Sequence, residues 1–398
     1  MKNHTYHWKG LNKNNEELSG DLMASSIAAA KVKLYEQGIF VTTIQKEAMA
    51  IFKNKISESD LALFIRQLAT MQNAGVPLLS SFEIIAKGYS NPLIKTLCQK
   101  IKIDLESGAT LSEAFSNQPN YFNALLIHLV SIGETSGCLD LILNKIADYQ
   151  EKIREIRGKI KKALMYPSAI LTISLIVTIV LLLYVVPQFE TLFKNFGSEL
   201  PIPTQIVIQF SQLLKHHILL FLILGFSLIF SFIKLKNDSS TFAHKLEEWI
   251  LKVPLIGAII QNACLARFSY ALSVSLSAGL PLMKALPIVS KATGNFVYQQ
   301  ATLKVQQEIL IGQKIGNALQ NARVFPELLI QLITTGEESG SLESMLQKSA
   351  DFYQEAVDNA VDNLSTLIEP VMMAILGILV TGLLVAMYLP IFKLGSVM

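Results

Sequence analysis

Charge disappears from the chain in three places. Residues 168–186 (SAILTISLIVTIVLLLYVV) and 371–389 (VMMAILGILVTGLLVAMYL) carry no charged side chain, and 216–233 (HHILLFLILGFSLIFSFI) is a shorter apolar run between Lys215 and Lys234. At about 1.5 Å per residue, a run of roughly nineteen residues reaches about 28 Å, close to the ~30 Å hydrocarbon core of a bilayer. Each run therefore predicts a transmembrane helix rather than a buried core helix, and the flanking lysines can snorkel to the interfaces. Elsewhere the apolar positions keep a different period. Leu61, Phe64, Ile65, Leu68 and Met71 recur at steps of three and four, which predicts an amphipathic helix stopped by Gly75-Val76-Pro77. Breaks at Asn91-Pro92, Ser107-Gly108 and Gln118-Pro119 leave helical lengths between them. Residues 1–50 differ: "TYHWKG", "ELSGDLM" and "IFVTTIQ" have strand composition, and "SIAAAKVKLYEQ" reads as a helix stopped by Gly38. These residues predict a small N-terminal α/β domain, joined by a linker around 46–57.

The helical pattern occurs twice. "LATMQNAGVPLLSSFEI" at 68–84 returns as "LSVSLSAGLPLMKALPI" at 272–288, an offset of 204 that aligns Gly75 with Gly279, Pro77 with Pro281 and Phe64 with Phe268. After one deletion the offset is 203, and "SIGETSGCLD" at 131–140 returns as "TTGEESGSLE" at 334–343. Gly133, Glu134 and Gly137 thus match Gly336, Glu337 and Gly340, while Pro167 matches Pro370 before each span and Pro187 matches Pro390 after it. Residues 58–190 and 262–393 read as two copies of one unit, a bundle of about six helices whose last helix runs on into the membrane.

Two such units in tandem enter the membrane in the same direction only if an extra span returns the chain, and the middle run supplies it. Lys152, Arg154, Arg157, Lys159, Lys161 and Lys162 precede the first span, whereas 187–215 carries only Glu190, Lys194, Glu199 and Lys215 as charges. Positive-inside bias predicts a cytoplasmic N-terminus and an external loop. The third span is approached through acidic residues, Asp351, Glu355, Asp358, Asp362 and Glu369, so its outward direction follows from the first two. The predicted architecture is a mainly α membrane protein. It has an α/β domain (1–50), two homologous cytoplasmic helical domains (58–166 and 262–369), three transmembrane helices (168–186, 216–233 and 371–389) and a short external loop (187–215).

Composition agrees: 51% of the 398 residues are hydrophobic and only 16% charged, with a mean hydropathy of +0.41. A net charge of +3 gives no reason to expect nucleic acid as a partner. Cys98, Cys138 and Cys264 lie far apart, which fits buried thiols rather than a disulfide framework. The first fifty residues carry charges throughout and show no signal-peptide pattern.

Chemistry is sparse. No P-loop, HExxH or GxSxG pattern occurs, and His216 and His217 fall at a span boundary, where an interfacial place is expected rather than a metal. Neither an enzyme nor a cofactor is predicted. Transport is the rival of another class, yet the spans hold no ionisable residue of the kind that marks an ion path, so a pore would need several copies. The small residues Ala374, Gly377, Thr381 and Gly382 suit close helix packing or are ordinary membrane residues. The Gly-Glu motif has two readings. Its glycines can end one helix with positive φ while Ser136, or Asp140 and Glu343, favour the start of the next. Glu134 and Glu337 are not required by a bare turn; they pair within the bundle, face a partner, or join Asp140 or Asp148 around a metal. Finally, the basic stretch 152–162 and the acidic stretch 351–369 occupy homologous places, which predicts an oriented contact between the copies or between protomers.

With these features in hand, the chain resembles the inner-membrane platform proteins of type IV pilus and type II secretion machines, the GspF/PilC family. The resemblance covers essentially the whole chain. It is most specific at "KIKKALMYPSAI" (159–170), "VVPQFETLFKNFGSELP" (185–201), "ARFSYALSVSLSAGLPL" (266–282) and "KATGNFVY" (291–298). "YHWKG" and the "ATGN-VY" stretch are closer to the pilus branch than to the secretion branch. Ser269-Tyr270 depart from a small residue followed by Arg, which leaves open a charged contact in the second domain. The resemblance implies a platform without enzymatic activity or cofactor, binding cytoplasmic motor ATPases of pilus extension and retraction through its bundles. Such a platform handles pilin subunits, works with inner-membrane alignment proteins, and forms a homo-oligomer in the lipid bilayer. The residues singled out are the Gly-Glu motifs, the turns at Gly75, Pro77, Gly279 and Pro281, and the pre-membrane prolines Pro167 and Pro370, which can break or redirect a helix. A secretion-system platform and an oligomeric channel are the alternatives.

Overall fold

A computed structural model describes residues 4–11, 17–24, 27, 31, 34, 35, 40–46, 56–195 and 201–395. The chain divides into two units, residues 1–56 and 57–398. In the first, β1 (His4–Leu11), β2 (Glu17–Ala24) and β3 (Phe40–Lys46) form an antiparallel sheet of order β2-β1-β3. Pairing of β1 with β2 runs from His4 opposite Ala24 to Leu11 opposite Glu17, and β1 meets β3 with a shift between Lys9 and Gly10. Residues 27, 31, 34 and 35 are helical, and Leu34 is buried. The strand-like segments read from the sequence are strands.

In the second unit the duplication is visible element by element. The first bundle is built from α1 (Glu58–Asn73), α2 (Leu78–Gly88), α3 (Pro92–Glu106), α4 (Leu111–Ser116), α5 (Ala124–Ser136) and α6 (Leu139–Val180). A π-helical turn (Leu181–Val185) leads into α7 (Val186–Asn195); α8 (Ile202–Asp238) and α9 (Ser240–Leu251) follow. The second bundle comprises α10 (Ile256–Ser277), α11 (Leu282–Ala292), α12 (Phe296–Leu310), α13 (Ile315–Ala322), α14 (Glu327–Ser339) and α15 (Leu342–Gly395). Local signals set the ends. Ser57 accepts from the Asp60 N–H, Asn91 from the Leu93 N–H and Asn123 from the Leu126 N–H, each satisfying an orphan donor of a first turn.

The predicted face of α1 is the core of its bundle: Phe64, Ile65 and Leu68 are buried, Phe64 meets Phe82 and Phe122, and Phe115 stacks on Phe122 at 4.0 Å. Burying each such side chain stabilises by about 1.5–3 kcal/mol. Phe268, the counterpart of Phe64, is buried against Phe325.

Among the described residues, three helical stretches are long and apolar enough to cross a membrane, within Leu139–Phe189, Leu219–Lys236 and Leu342–Leu389. Three expectations need correction. Residues 187–215 are mostly helix rather than loop: α7 extends the first span, and α8 begins at Ile202. Pro201 and Pro203 fall at the helix start, where a missing N–H is tolerated, so they open a helix instead of marking a loop. That helix changes direction later, at His217, whose φ of −118° is not helical. The first helix of the second bundle starts at Ile256, ahead of the predicted 262, because the chain breaks at Pro254 and Leu255. Lastly, α6 runs unbroken through Pro167 and α15 through Pro370, so neither proline ends its helix.

Candidate functional site

The repeated Gly-Glu motif is a corner between the last two helices of each bundle. Helix α5 ends on Gly137 (φ 70°), and the Cys138 N–H reaches back to the Gly133 carbonyl at 3.0 Å. In the second copy Gly340 has φ 67°, and the Ser341 N–H bonds the Gly336 carbonyl at 2.9 Å. Both are left-handed C-caps that glycine adopts most cheaply. The first glycine of each motif does something else. Gly133 and Gly336 are helical, and a Cβ there would lie 3.1 Å from the Leu139 Cα or 2.9 Å from the Leu342 Cα. Close approach of the next helix, not positive φ, requires them.

Each motif acid reaches across its bundle. The Glu134 carboxylate accepts the Leu111 N–H at 2.5 Å and the Ser112 N–H at 3.0 Å. Glu337 accepts the N–H groups of Ile315 at 3.1 Å and Gly316 at 3.4 Å. These are the first free donors of α4 and α13, where a negative charge also meets the positive end of the helix dipole. All four oxygens thus accept helix N–H groups, and among the described residues no group of three or more His, Cys, Asp and Glu could hold a metal ion. Ser136 does not cap the following helix; its hydroxyl donates to the Ile132 carbonyl at 2.6 Å, as Ser339 does to Thr335. The Gly75 and Gly279 turns repeat the corner chemistry, with φ of 73° and 83°, and Pro77 and Pro281 directly precede α2 and α11.

The oppositely charged stretches meet within one chain. Lys159 on α6 bonds Asp358 on α15 at 2.5 Å and Glu155 on its own helix at 3.0 Å. The Asp358 hydrogen bond, the largest influence, raises the Lys159 pKa. Among the described residues Lys161 and Lys162 form no ion pair, so the seam is narrower than the charge run. Deeper in the bundles, Lys145 donates to the Ser277 carbonyl at 3.0 Å and lies 4.0 Å from Glu343. A cleft of about 460 Å³ between the bundles is lined by Lys145, Glu151, Tyr270 and Glu343 among others.

Position 270 resolves the departure noted in the sequence. In the first bundle Arg66 bridges to Asp148 at 2.5 Å and Glu151 at 2.7 Å, and its hydrogen bond holds the Glu151 carboxyl below its usual range. In the second, Tyr270 stands in the place of Arg66 and donates to Asp351 at 2.5 Å, next to Gln354. Burial, foremost, pushes the Tyr270 pKa upward, so the hydroxyl keeps its proton. A hydrogen bond from a neutral donor to a carboxylate replaces the ion pair.

Residues 64–187 and 268–390 each match the domain described as type II secretion system (T2SS), protein F, and residues 1–45 match that protein's N-terminal domain. The chain belongs to the type II secretion system protein F family. It is 44% identical over 369 residues to the type IV pilus assembly protein PilC of Pseudomonas aeruginosa, covering 92% of this chain and 99% of that one. It is 40% identical over 396 residues to the type IV pilus assembly protein TapC of Aeromonas hydrophila, covering 98% and 95%. With the type II secretion system protein F of Vibrio cholerae it shares 28% over 403 residues, 99% of both chains.

Both protein F segments stop on a proline, Pro187 and Pro390, and there the structure holds a joint that the sequence reading missed. In the π-helical turn the Val186 N–H bonds the Leu181 carbonyl; Pro187 has no N–H to continue to Leu182. The Ser211 hydroxyl of α8 donates to that Leu182 carbonyl instead. Pro390 likewise leaves the Ala386 carbonyl without its helical donor, and the Thr204 hydroxyl donates to it at 2.5 Å. Ser211 and Thr204 are buried and seven residues apart on α8, hence on one face, beside a cluster of Leu182, Val186, Ile208 and Leu383. The C-terminal ends of the two protein F segments are thus tied to one middle helix. A proline at each span end was the readable half of this signal.

Proposed function

We infer that the chain is an inner-membrane platform of a type IV pilus machine, coupling a cytoplasmic motor ATPase to the assembly and disassembly of pilin. The observation that carries this is full-length similarity at 40–44% identity to proteins named for type IV pilus assembly, against 28% to a protein named for type II secretion. The architecture suits such work: two bundles, locked along a seam, stand on spans without charged residues and offer large surfaces for force rather than a path for solute. The N-terminus lies in the cytoplasm and the C-terminus outside, following the basic residues before the first span. Motor ATPases and alignment proteins dock on the bundles, pilin is handled at the spans, and the platform acts as a homo-oligomer. In this reading the Gly-Glu corners hold the bundle in shape, and the motor binds elsewhere.

Deleting the gene should abolish surface pili and twitching motility and leave secretion of folded exoproteins intact. Normal piliation with lost secretion would instead make the chain a secretion-system platform. Alkaline phosphatase fused after residue 398 is active and fused at residue 1 is inactive; the reverse pattern refutes the stated orientation.

A further inference from the structure

The seam between α6 and α15 does not close fully where the helices leave the bundles. It opens into a crevice of about 480 Å³ floored by the Lys159–Asp358 pair and edged by Lys162 on α6 and by Asp362 and Ser365 on α15. Lys162 and Asp362 carry opposite charges and line the same crevice, yet among the described residues neither forms an ion pair. Two unmatched charges facing one cavity leave room for a ligand that carries both signs.

Depth says which ligand. Lys162 is the last charge before the first apolar run, and from there to Ser168 the helix rises roughly 9 Å. A bilayer's polar layer extends roughly 5–8 Å beyond its hydrocarbon core on each side, so Lys162 reaches the level of lipid phosphates. Ser365 is its counterpart at the offset of 203, and Asp362 lies about one helical turn farther from the membrane. Toward the membrane, Leu164, Met165 and Leu367 expose apolar side chains along which acyl chains can lie. The order from core to water is therefore apolar surface, cation, carboxylate. A phospholipid whose phosphate bears a primary amine has the complementary order of acyl chain, phosphate, ammonium.

We propose that this crevice binds the headgroup of an aminophospholipid, with the phosphate on Lys162 and the ammonium on Asp362. The lipid spans the two helices and seals the seam at the membrane surface. The basic residue alone would favour any anionic lipid; Asp362 discriminates, because it repels an anionic headgroup and can accept a hydrogen bond from a primary ammonium but not from a quaternary one. The site depends only on both helices entering a bilayer, so it stands apart from the question of which machine the chain serves.

The test is native mass spectrometry of the full chain, purified in detergent and offered phosphatidylethanolamine, phosphatidylglycerol or phosphatidylcholine. Wild type retains phosphatidylethanolamine at about tenfold higher occupancy than the other two, since only a protonated primary amine both neutralises and hydrogen-bonds a carboxylate. D362N abolishes that preference while lipid is still bound, and D362E keeps it. K162A lowers occupancy by all three lipids, and K162R restores it. Equal retention by wild type, a preference for phosphatidylglycerol, or an unchanged preference in D362N overturns the proposal. D362E and K162R report a correctly folded chain, so a general loss of structure cannot imitate the result.

Discussion

Glu134 and Glu337 perform the same task with unequal help. Helix α4 has its own capping box, in which Thr110 accepts the Glu113 N–H at 3.1 Å and Glu113 accepts the Thr110 N–H at 2.9 Å. Helix α13 is preceded by Lys314, which offers no side-chain cap, so Glu337 alone satisfies its first donors. Glutamine has one acceptor oxygen for two N–H groups, and leaving a buried donor unpaired costs about 1–3 kcal/mol. E134Q and E337Q should both lower the apparent Tm of the purified chain, with the larger drop for E337Q; the opposite order would mean that the local cap of α4 does not share the load. G336A should be worse than either, since its new Cβ meets the Leu342 backbone, which cannot yield as a side-chain tip would. The corner itself was legible in the sequence, because Gly137 and Gly340 mark helix ends. The partner of the acid was not: Leu111 lies 23 residues before Glu134, and only the packing of α4 on α5 joins them.

At the scale of elements, the helices were readable at caps, glycines and prolines such as Asn91-Pro92, and misread at the prolines between the first two apolar runs. Inside a helix a proline removes the bond its own N–H would make and crowds the carbonyl four residues back, so its effect depends on position and on what takes up that carbonyl. At Pro201 and Pro203 nothing is lost, and a helix begins where a loop was expected. At Pro187 and Pro390 a carbonyl is lost to the helix and recovered by a hydroxyl from α8, a pairing that depends on three-helix register and leaves no periodic trace. Interhelical hydrogen bonds of this kind contribute roughly 1 kcal/mol inside membranes. S211A and T204V should each lower the apparent Tm in detergent and speed hydrogen exchange over residues 202–216, whereas S211T, which keeps the hydroxyl, should stay near wild type. If S211A and S211T behave alike, the hydroxyl is not the tie.

For the whole molecule, these joints leave the two bundles fastened at both ends of the membrane helices. On one side α8 grips both spans; on the other, Lys159 on α6 meets Asp358 on α15. The duplication was legible from offsets of 204 and 203, and so was the opposition of basic and acidic stretches at homologous places. Which of the lysines would pair was not, because a charge run says nothing of the helical face turned toward the neighbour. An ion pair whose side chains are 34% and 31% exposed is worth at most about 1 kcal/mol once screening is counted, so its contribution to stability is small. Its contribution to register is larger. K159E would set a third carboxylate beside Glu155 and Asp358, and like charges at that spacing push α6 and α15 apart. Hydrogen exchange along both helices next to the membrane should rise in K159E and fall back in K159E/D358K, while K161E, whose lysine forms no ion pair among the described residues, leaves it unchanged. If K161E loosens the seam as much as K159E, overall charge balance rather than this one pair holds the two repeats in register.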